Sequence, residues 1–339
     1  MKKYYSYTPL LIVLMLLVSF GCGTDNSHDL PSQAYEHIKH ISEDIGSRPS
    51  GSLNAFKTRL YIAAGLVACG YTIEIQPFSY TASTGQKTSA NIIAEKKGPL
   101  SETIIIGAHY DSVATSQGAA DNASGIGVLL ALAAALKDIE TACTVRFIAF
   151  GAEEDGLNGS TAYVNSLSDD ELADIFGMIN LDTTISGDIM YINSGLDGDT
   201  ALRDMLLETA LQLNITFEMS PGLHQLYPAG TTGNWSDHAP FNKLGIAVAH
   251  IESTNWNIGD YDGFTQTEAY GALWHTANDN LSFIENNFPG RIDAQLSDTC
   301  NLLATFLTSS ENITGRLSAS HTISNASIDF TNRRGTDSF

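Results

Sequence analysis

Basic residues are scarce in this chain. Its 339 residues include 17 Lys and Arg against 38 Asp and Glu, which gives a formal net charge of -21. Such a surface would repel the phosphates of DNA or RNA, so the charge balance argues against a nucleic-acid-binding protein. The same charge is compatible with a cationic substrate, and equally with an acidic surface that only favours solubility.

Cysteines and long hydrophobic runs are few as well. Apart from Cys22, the cysteines are Cys69, Cys143 and Cys300. These three match no zinc–cysteine motif, and because their number is odd they permit at most one disulfide, whose pair the sequence does not identify. The apolar run at residues 10–20 is too short to span a bilayer as a stable helix. Hydrophobic residues still make up 43% of the chain, so a packed core is expected rather than general disorder.

The N-terminal segment is predicted to be a targeting signal. Lys2 and Lys3 precede the apolar run, and Cys22 follows it in the manner of a bacterial lipoprotein signal. An ordinary cleaved signal peptide is the alternative, since Ser19 and Phe20 depart from the usual Leu-then-small pattern. Both interpretations predict an exported protein. Lipid on Cys22 would anchor it at the periplasmic face or the outer membrane.

The remaining sequence divides by its periodicity. We interpret residues 1–22 as the signal, 23–32 as a polar linker, 33–308 as the folded domain and 309–339 as a poorly ordered tail. Strands are predicted over residues 71–78, 91–94, 103–108, 144–150, 178–181, 189–193 and 246–251. Helices are predicted over residues 33–45, 54–69, 123–136, 160–166 and 200–213, with a terminal helix inside 280–307. This alternation predicts a single three-layer α/β domain, with a mostly parallel central mixed sheet flanked by helices.

Side chains able to bind metal follow three of the predicted strands directly. His109 and Asp111 come after one buried strand, Glu153 and Glu154 after the next, and Asp182 after a third. In open α/β sheets, ligands bind in the crevice beyond the carboxyl ends of the strands. We therefore expect these side chains to meet at one edge of the sheet.

Two further residues complete the proposed ligand set. Asp121 precedes a predicted helix and can project into the same crevice, and His275 lies in the loop before the last helix. Nitrogen and oxygen ligands without thiolates suit zinc, and less selectively cobalt or manganese. Without cations the carboxylates of Asp121, Glu154 and Asp182 would repel one another. With Glu153 nearby they total four negative charges, which two divalent ions would balance.

Several segments resemble signatures of the M28 family of zinc metallopeptidases. They span roughly residues 45–285 in the family's order, so the match is more specific than any single motif. The segments are residues 107–112, 118–125, 147–160, 180–182, 236–241 and 274–281. The resemblance implies a zinc-exopeptidase-like fold and an aminopeptidase that acts on the N-termini of peptides or proteins.

The resemblance also implies how two Zn²⁺ ions would be held. Asp121 would bridge them, with His109 and Asp182 completing one site and Glu154 and His275 the other.

Two more carboxylates carry implied roles in the reaction itself. Glu153 would be the general base, and Asp111 would orient the imidazole of His109. The stretch at residues 251–266 resembles the alkaline phosphatase isozyme-conversion aminopeptidases, which trim basic residues from exported proteins.

Other interpretations of these residues stay open. A glutaminyl cyclase with a single zinc shares Trp274 before His275, but the compact segment 154–160 is peptidase-like. A non-catalytic binding domain on the same fold is a second alternative, although such a protein would be expected to have lost ligands. Asp237 could support a neighbouring group through a hydrogen bond or cap a helix, and His238 is expected to shape the pocket wall.

Overall fold

The computed structural model describes residues 29–196 and 199–309. The predicted signal, the lipid site at Cys22 and almost all of the predicted tail lie outside these residues. The predicted linker overlaps them only at its end. There the first helix begins at Leu30, three residues earlier than expected. Asp29 accepts a hydrogen bond from the Ser32 amide, and Pro31 occupies the first turn, where it favours helix initiation.

Helices and strands alternate along the described chain as the sequence predicts. The strands are β1 (Ile73–Ala82), β2 (Gly85–Lys96), β3 (Leu100–His109), β4 (Cys143–Phe150), β5 (Ile175–Leu181), β6 (Ile189–Asn193) and β7 (Ala247–Thr254). The helices are α1 (Leu30–Lys39), α2 (Leu53–Ala68), α3 (Gly125–Leu136), α4 (Asn158–Ser166), α5 (Asp169–Ala173), α6 (Ala201–Gln212), α7 (Ala239–Lys243), α8 (Leu281–Asn287) and α9 (Arg291–Thr308). Wider π-helical turns at His40–Ile45 and Ala119–Ser124 follow α1 and precede α3.

The seven strands form one mixed sheet in the order β1-β2-β4-β3-β5-β7-β6. The four central strands β4, β3, β5 and β7 are parallel to one another, whereas β1, β2 and β6 are antiparallel additions at the two edges. The prediction of a mostly parallel centre within a mixed sheet is confirmed. Because parallel strands are buried on both faces, they appear in the sequence as continuous apolar runs.

Helices cover both faces of this sheet. One face packs against α1, α2, α3, α6 and α9 in a large core that includes Ile38, Leu129 and Phe306. The other face packs against α4, α5 and α7 through a smaller cluster that includes Tyr163 and Phe241. The helix α3 is almost wholly apolar because it lies between the sheet and α1. The stretch Ala119–Leu136 is long and apolar enough to cross a membrane, but 89% of it is buried in this core.

Two parts of the fold differ from the sequence prediction. The residues predicted as two short strands form a long antiparallel hairpin, β1–β2, in which Ala82 faces Gly85 across the turn. The predicted terminal helix is split into α8 and α9, because Pro289 and the left-handed Gly290 interrupt it. Cys69, Cys143 and Cys300 are all free thiols.

Candidate metal centre

Three central strands end at the same edge of the sheet, as the sequence predicts. His109 is the last residue of β3 and lies in register with Phe150, the last residue of β4. Glu153 and Glu154 follow β4 within four residues, and Asp182 directly follows β5. The structure therefore brings these predicted side chains together beyond the carboxyl ends of β3, β4 and β5.

Asp121 lies between the two histidines of the predicted set. Its Oδ1 atom is 3.1 Å from Nε2 of His109, and its Oδ2 atom is 3.2 Å from Nε2 of His275. The carboxylate of Asp121 is buried, whereas the His275 side chain is 45% exposed. The two oxygens thus face two different imidazoles, which is the geometry that a carboxylate shared by two cations requires.

Each histidine also faces a second carboxylate. Oδ1 of Asp182 is 3.5 Å from Nε2 of His109, and Oε2 of Glu154 is 3.0 Å from Nε2 of His275. The other oxygen of each carboxylate is held by the protein: Ser236 donates to Oδ2 of Asp182 at 2.7 Å, and the Val113 amide donates to Oε1 of Glu154 at 3.1 Å. One oxygen of each group is thereby anchored and the other points into the cluster.

Asp111 is fully buried and acts on the strand end that carries the two glutamates. Its carboxylate accepts hydrogen bonds from the backbone amides of Glu153 at 3.2 Å and Glu154 at 3.3 Å. Nδ1 of His109 lies 3.2 Å from the Asp111 backbone carbonyl and 3.7 Å from its carboxylate. The expected carboxylate–imidazole contact is therefore the longer of the two, and the carbonyl is the closer partner of the ring.

The crowded carboxylates and imidazoles of the cluster shift one another's pKa values. Hydrogen bonds that His275 donates to the carboxylates of Asp121 and Glu154 raise its pKa to about 10. Burial together with the charge of Asp121 raises the pKa of Glu154 to about 7. Burial raises the pKa of Glu153 well above its usual value. Burial acts to raise the pKa of Asp121. The hydrogen bonds that it accepts from His109 and His275 outweigh this effect, so its pKa is lowered overall. Metal ligands must give up such protons, so bound cations would displace them.

The backbone is strained at three positions in or beside the cluster. His275 has a φ of 58°, Ala152 before Glu153 has a φ of 60°, and Thr183 after Asp182 has a φ of 50°. Left-handed backbone is uncommon outside glycine and rare for a β-branched residue such as threonine. Strain of this kind concentrates at functional sites, where the surrounding structure enforces it.

Asp237 and His238 lie at the edge of the cluster and cap nothing. Neither carboxylate oxygen of Asp237 has a hydrogen-bond partner of good geometry among the described residues, and α7 begins without a side-chain cap. Burial raises the pKa of Asp237 to about 7, and the Ser160 hydroxyl nearby acts to lower it. His238 is fully buried and its Nε2 lies 2.9 Å from the Gly233 carbonyl; its expected place in the pocket wall stays a prediction.

Arg48 and Asp279 are two buried charges beside the site that sequence analysis did not single out. Both are fully buried and both bond to the loop that carries Asp121. Asp279 lies four residues after His275, inside a segment already quoted for its family resemblance, so its spacing was a usable signal. Arg48 belongs to no motif that the sequence analysis recognised, so the sequence contained no signal of its role.

The assembled side chains are suited to hold a divalent cation. Two sets of imidazole and carboxylate atoms converge, and in one of them the buried Oδ1 atom of Asp182 has no hydrogen-bond partner among the described residues. His109 groups with Asp121 and Glu154, and also with Glu153 and Asp182, with ligand atoms within 4.8 Å of one another. Such a nitrogen and oxygen set without thiolates suits zinc.

An α/β sheet whose strand ends gather imidazoles and carboxylates in this way is typical of a metal-dependent enzyme. Comparison with known proteins identifies the family. Residues 91–299 match peptidase family M28. The chain is 35% identical over 303 residues to the alkaline phosphatase isozyme conversion protein of Escherichia coli (strain K12), covering 80% of this chain and 88% of that protein. This chain belongs to peptidase family M28 and is a hydrolase that acts on peptide bonds.

Solved structures support the fold assignment. The zinc aminopeptidase BSAP from Bacillus subtilis superposes with a TM-score of 0.66 at 20% identity, covering 82% of this chain and 95% of that one. A glutaminyl cyclase from Fimbriiglobus ruber superposes with a TM-score of 0.63 at 18% identity, covering 82% and 94%. The fold is therefore shared by aminopeptidases and cyclases, and the choice between them depends on the site.

Proposed function

We propose that this protein is an aminopeptidase that uses two zinc ions to remove N-terminal residues from peptides or proteins. The observation that carries the proposal is the position of Asp121, whose two carboxylate oxygens face His109 and His275 separately. His109 and Asp182 would complete one zinc site, and Glu154 and His275 the other. We further propose that it acts outside the cytoplasm, anchored by lipid on Cys22, as its N-terminal sequence pattern predicts.

Glu153 is the group best placed to move protons in this reaction. It is buried beside the cluster, with Oε2 4.0 Å from Nε2 of His109, and the two zinc sites proposed above do not use it as a ligand. Two bound zinc ions would supply Lewis acidity, polarising the scissile carbonyl and activating water near neutral pH. Glu153 would accept the proton of the attacking water and deliver it to the departing amine. Burial raises the pKa of Glu153 above that of an exposed carboxyl group, which strengthens it as a base.

The surroundings of His275 favour a substrate with a cationic first residue. Phe264 and Trp274 form an aromatic surface beside it, with ring centroids 5.1 Å apart and Trp274 5.2 Å from the His275 ring. The segment of residues 252–290, which contains Phe264, Trp274 and His275, has six acidic residues and no Lys or Arg. Aromatic faces and carboxylates both attract Lys and Arg side chains. The carboxylates of the proposed metal centre would also hold the free α-amine of the substrate. This contact would restrict cleavage to chain ends.

A panel of aminoacyl-arylamides with and without chelator tests this function. We expect kcat/KM for Arg and Lys substrates to exceed that for Leu by about tenfold, the effect of about 1.4 kcal/mol of added interaction. N-acetylated Arg-arylamide should not be cleaved, because it lacks the free amine. Chelator should abolish hydrolysis and added zinc should restore it. Cyclisation of N-terminal glutamine with release of ammonia, without arylamide hydrolysis, would instead identify a glutaminyl cyclase.

A further inference from the structure

The loop between β3 and α3 carries proposed site residues at both of its ends. His109 and Asp111 stand at its start and Asp121 at its end. Its backbone is irregular: inside the turn before α3, Asp121 has a φ of -115° and a ψ of 91°, far from helical values. Helical hydrogen bonding therefore does not fix Asp121. Other groups must hold the backbone where the two imidazoles can share the carboxylate.

Arg48 holds the carbonyl groups of this loop. Its Nε donates to the Tyr110 carbonyl at 2.9 Å, and its Nη atoms donate to the carbonyls of Gln117 at 2.6 Å and Gly118 at 2.9 Å. The Arg48 amide also donates to the Ser112 hydroxyl at 3.0 Å. One guanidinium thus joins the beginning of the loop to its end. Its planar, fixed arrangement of donors suits this task better than the single ammonium of lysine.

Asp279 holds the amide groups of the same loop. Its Oδ1 accepts from the Ala120 amide at 2.6 Å, and its Oδ2 accepts from the Asp121 amide at 3.2 Å and the Ser116 hydroxyl at 3.1 Å. Asp279 lies four residues after His275, so a single carboxylate ties together the segments that carry two of the proposed ligands. The Thr115 hydroxyl adds a second tie by donating to the His275 carbonyl at 3.1 Å.

The two charges hold the loop through separate sets of hydrogen bonds. Burial lowers the pKa of Arg48, and the Asp279 carboxylate acts to raise it against this effect by favouring the charged form of Arg48. Both side chains are fully buried, and within the described residues no ion pair joins Arg48 to Asp279. A buried charge is destabilising unless hydrogen bonds satisfy it. Each side chain therefore stabilises the loop conformation that supplies its hydrogen-bond partners. Gly118 permits the close packing: it has a φ of +60°, and a Cβ there would lie 2.4 Å from the Asp121 carbonyl oxygen and 2.7 Å from Nη2 of Arg48.

We propose that Arg48 and Asp279 are positioning residues for the metal centre. By gripping the carbonyls and amides of the loop from opposite sides, they fix the Asp121 carboxylate between His109 and His275, so that zinc meets a preformed site. The inference rests on the proposed two-zinc function. It assigns no contact with substrate to either residue.

Zinc affinity of Asp279→Asn tests the proposal directly. The variant keeps the shape of the side chain but removes its charge and one of its acceptor oxygens. We expect its zinc dissociation constant, measured by competition with a chromogenic chelator, to rise by about 10- to 100-fold, as for other residues that orient ligands. Arg48→Lys should weaken zinc binding in the same direction. The increase in melting temperature on adding zinc should shrink in both variants.

Asp188→Asn is the matched control. The Asp188 carboxylate also accepts hydrogen bonds, from the Glu268 amide at 2.7 Å and the Asn255 side chain at 3.1 Å, but it pairs with Arg291 and touches no proposed ligand. We expect this variant to lower the melting temperature of the metal-free protein without changing the zinc dissociation constant. Unchanged zinc affinity in Asp279→Asn, alongside the same loss of stability, would overturn the positioning role.

Ser116→Ala keeps the test decisive if Asp279→Asn does not fold. It removes a hydroxyl that donates to Asp279 at 3.1 Å and accepts from the Gly118 amide at 2.7 Å, two hydrogen bonds that hold the same loop. It should weaken zinc binding by at least a few-fold, since one buried hydrogen bond is worth about 1 kcal/mol. An unchanged dissociation constant in Ser116→Ala would then count against the proposal. Absence of zinc binding by the unvaried chain would be a different result, because it would overturn the proposed function itself.

Discussion

Glu153→Gln is expected to lower kcat by a factor of about 10² to 10⁴ while both zinc ions stay bound. The amide keeps the size of the side chain but cannot accept the proton of the attacking water. Because the proposal assigns Glu153 to neither zinc site, metal content should not change. Steady-state kinetics with an arylamide substrate and zinc analysis of the same preparation measure both quantities.

Glu154→Gln is the natural contrast, since the two glutamates are adjacent and both lie at the end of β4. Oε2 of Glu154 lies 3.0 Å from Nε2 of His275, whereas the nearest imidazole contact of Glu153 is 4.0 Å. Glu154→Gln should therefore lose zinc as well as activity. If Glu153→Gln loses metal and Glu154→Gln retains it, the roles given to the two residues are reversed.

Asp121→Ala is expected to lose both zinc ions and nearly all activity, whereas His275→Ala should lose one. The difference follows from geometry, because both imidazoles face Asp121 and each also faces one further carboxylate. Removing the shared group disturbs two sites, and removing His275 disturbs one. Zinc per chain, measured by mass spectrometry after exhaustive dialysis, distinguishes these outcomes.

Asp138→Ala serves as the surface control for Asp121→Ala and His275→Ala, since Asp138 is exposed and remote from the cluster. It should keep full metal content and activity. Circular dichroism of each variant separates loss of metal from loss of fold. Retention of one zinc by Asp121→Ala, together with retention of both by His275→Ala, would contradict the shared-carboxylate arrangement.

Much of this site could be predicted from the sequence because buried parallel strands are easy to recognise. The apolar run that became β3 places His109 at a strand end, and the same reasoning places Glu154 and Asp182. The carboxyl ends of parallel strands lie at one edge of the sheet. Residues that follow different strands in the sequence could therefore be predicted to lie close together. The fold class and the M28 resemblance are confirmed. The ligand roles themselves remain proposals.

Other features depended on contacts that a pattern of residue types does not display. The sequence predicts no partner for Arg48, because a guanidinium that bonds only to backbone carbonyls leaves no complementary residue to find. The Asp111 carboxylate shows the same limit: its expected role beside His109 stays a prediction, and the sequence did not indicate that it also accepts hydrogen bonds from the amides of Glu153 and Glu154. Backbone partners become visible only when the loops are folded.

Edge elements were the least predictable part of the fold. The β1–β2 hairpin extends past the end of its pairing with β4, so its outer residues are half-exposed and lose the clean alternation that marks a strand. The predicted terminal helix contains Pro289 and Gly290, two residues that commonly end helices. They separate α8 from α9, and the sequence could have indicated this break.

Zinc titration of the metal-free protein tests the central claim most directly. If Asp121 serves two cations at once, arylamidase activity should depend on a second equivalent of zinc, and the fully active protein should contain two zinc ions per chain. Full activity with a single bound zinc, and no second equivalent taken up at saturating metal, would contradict the account.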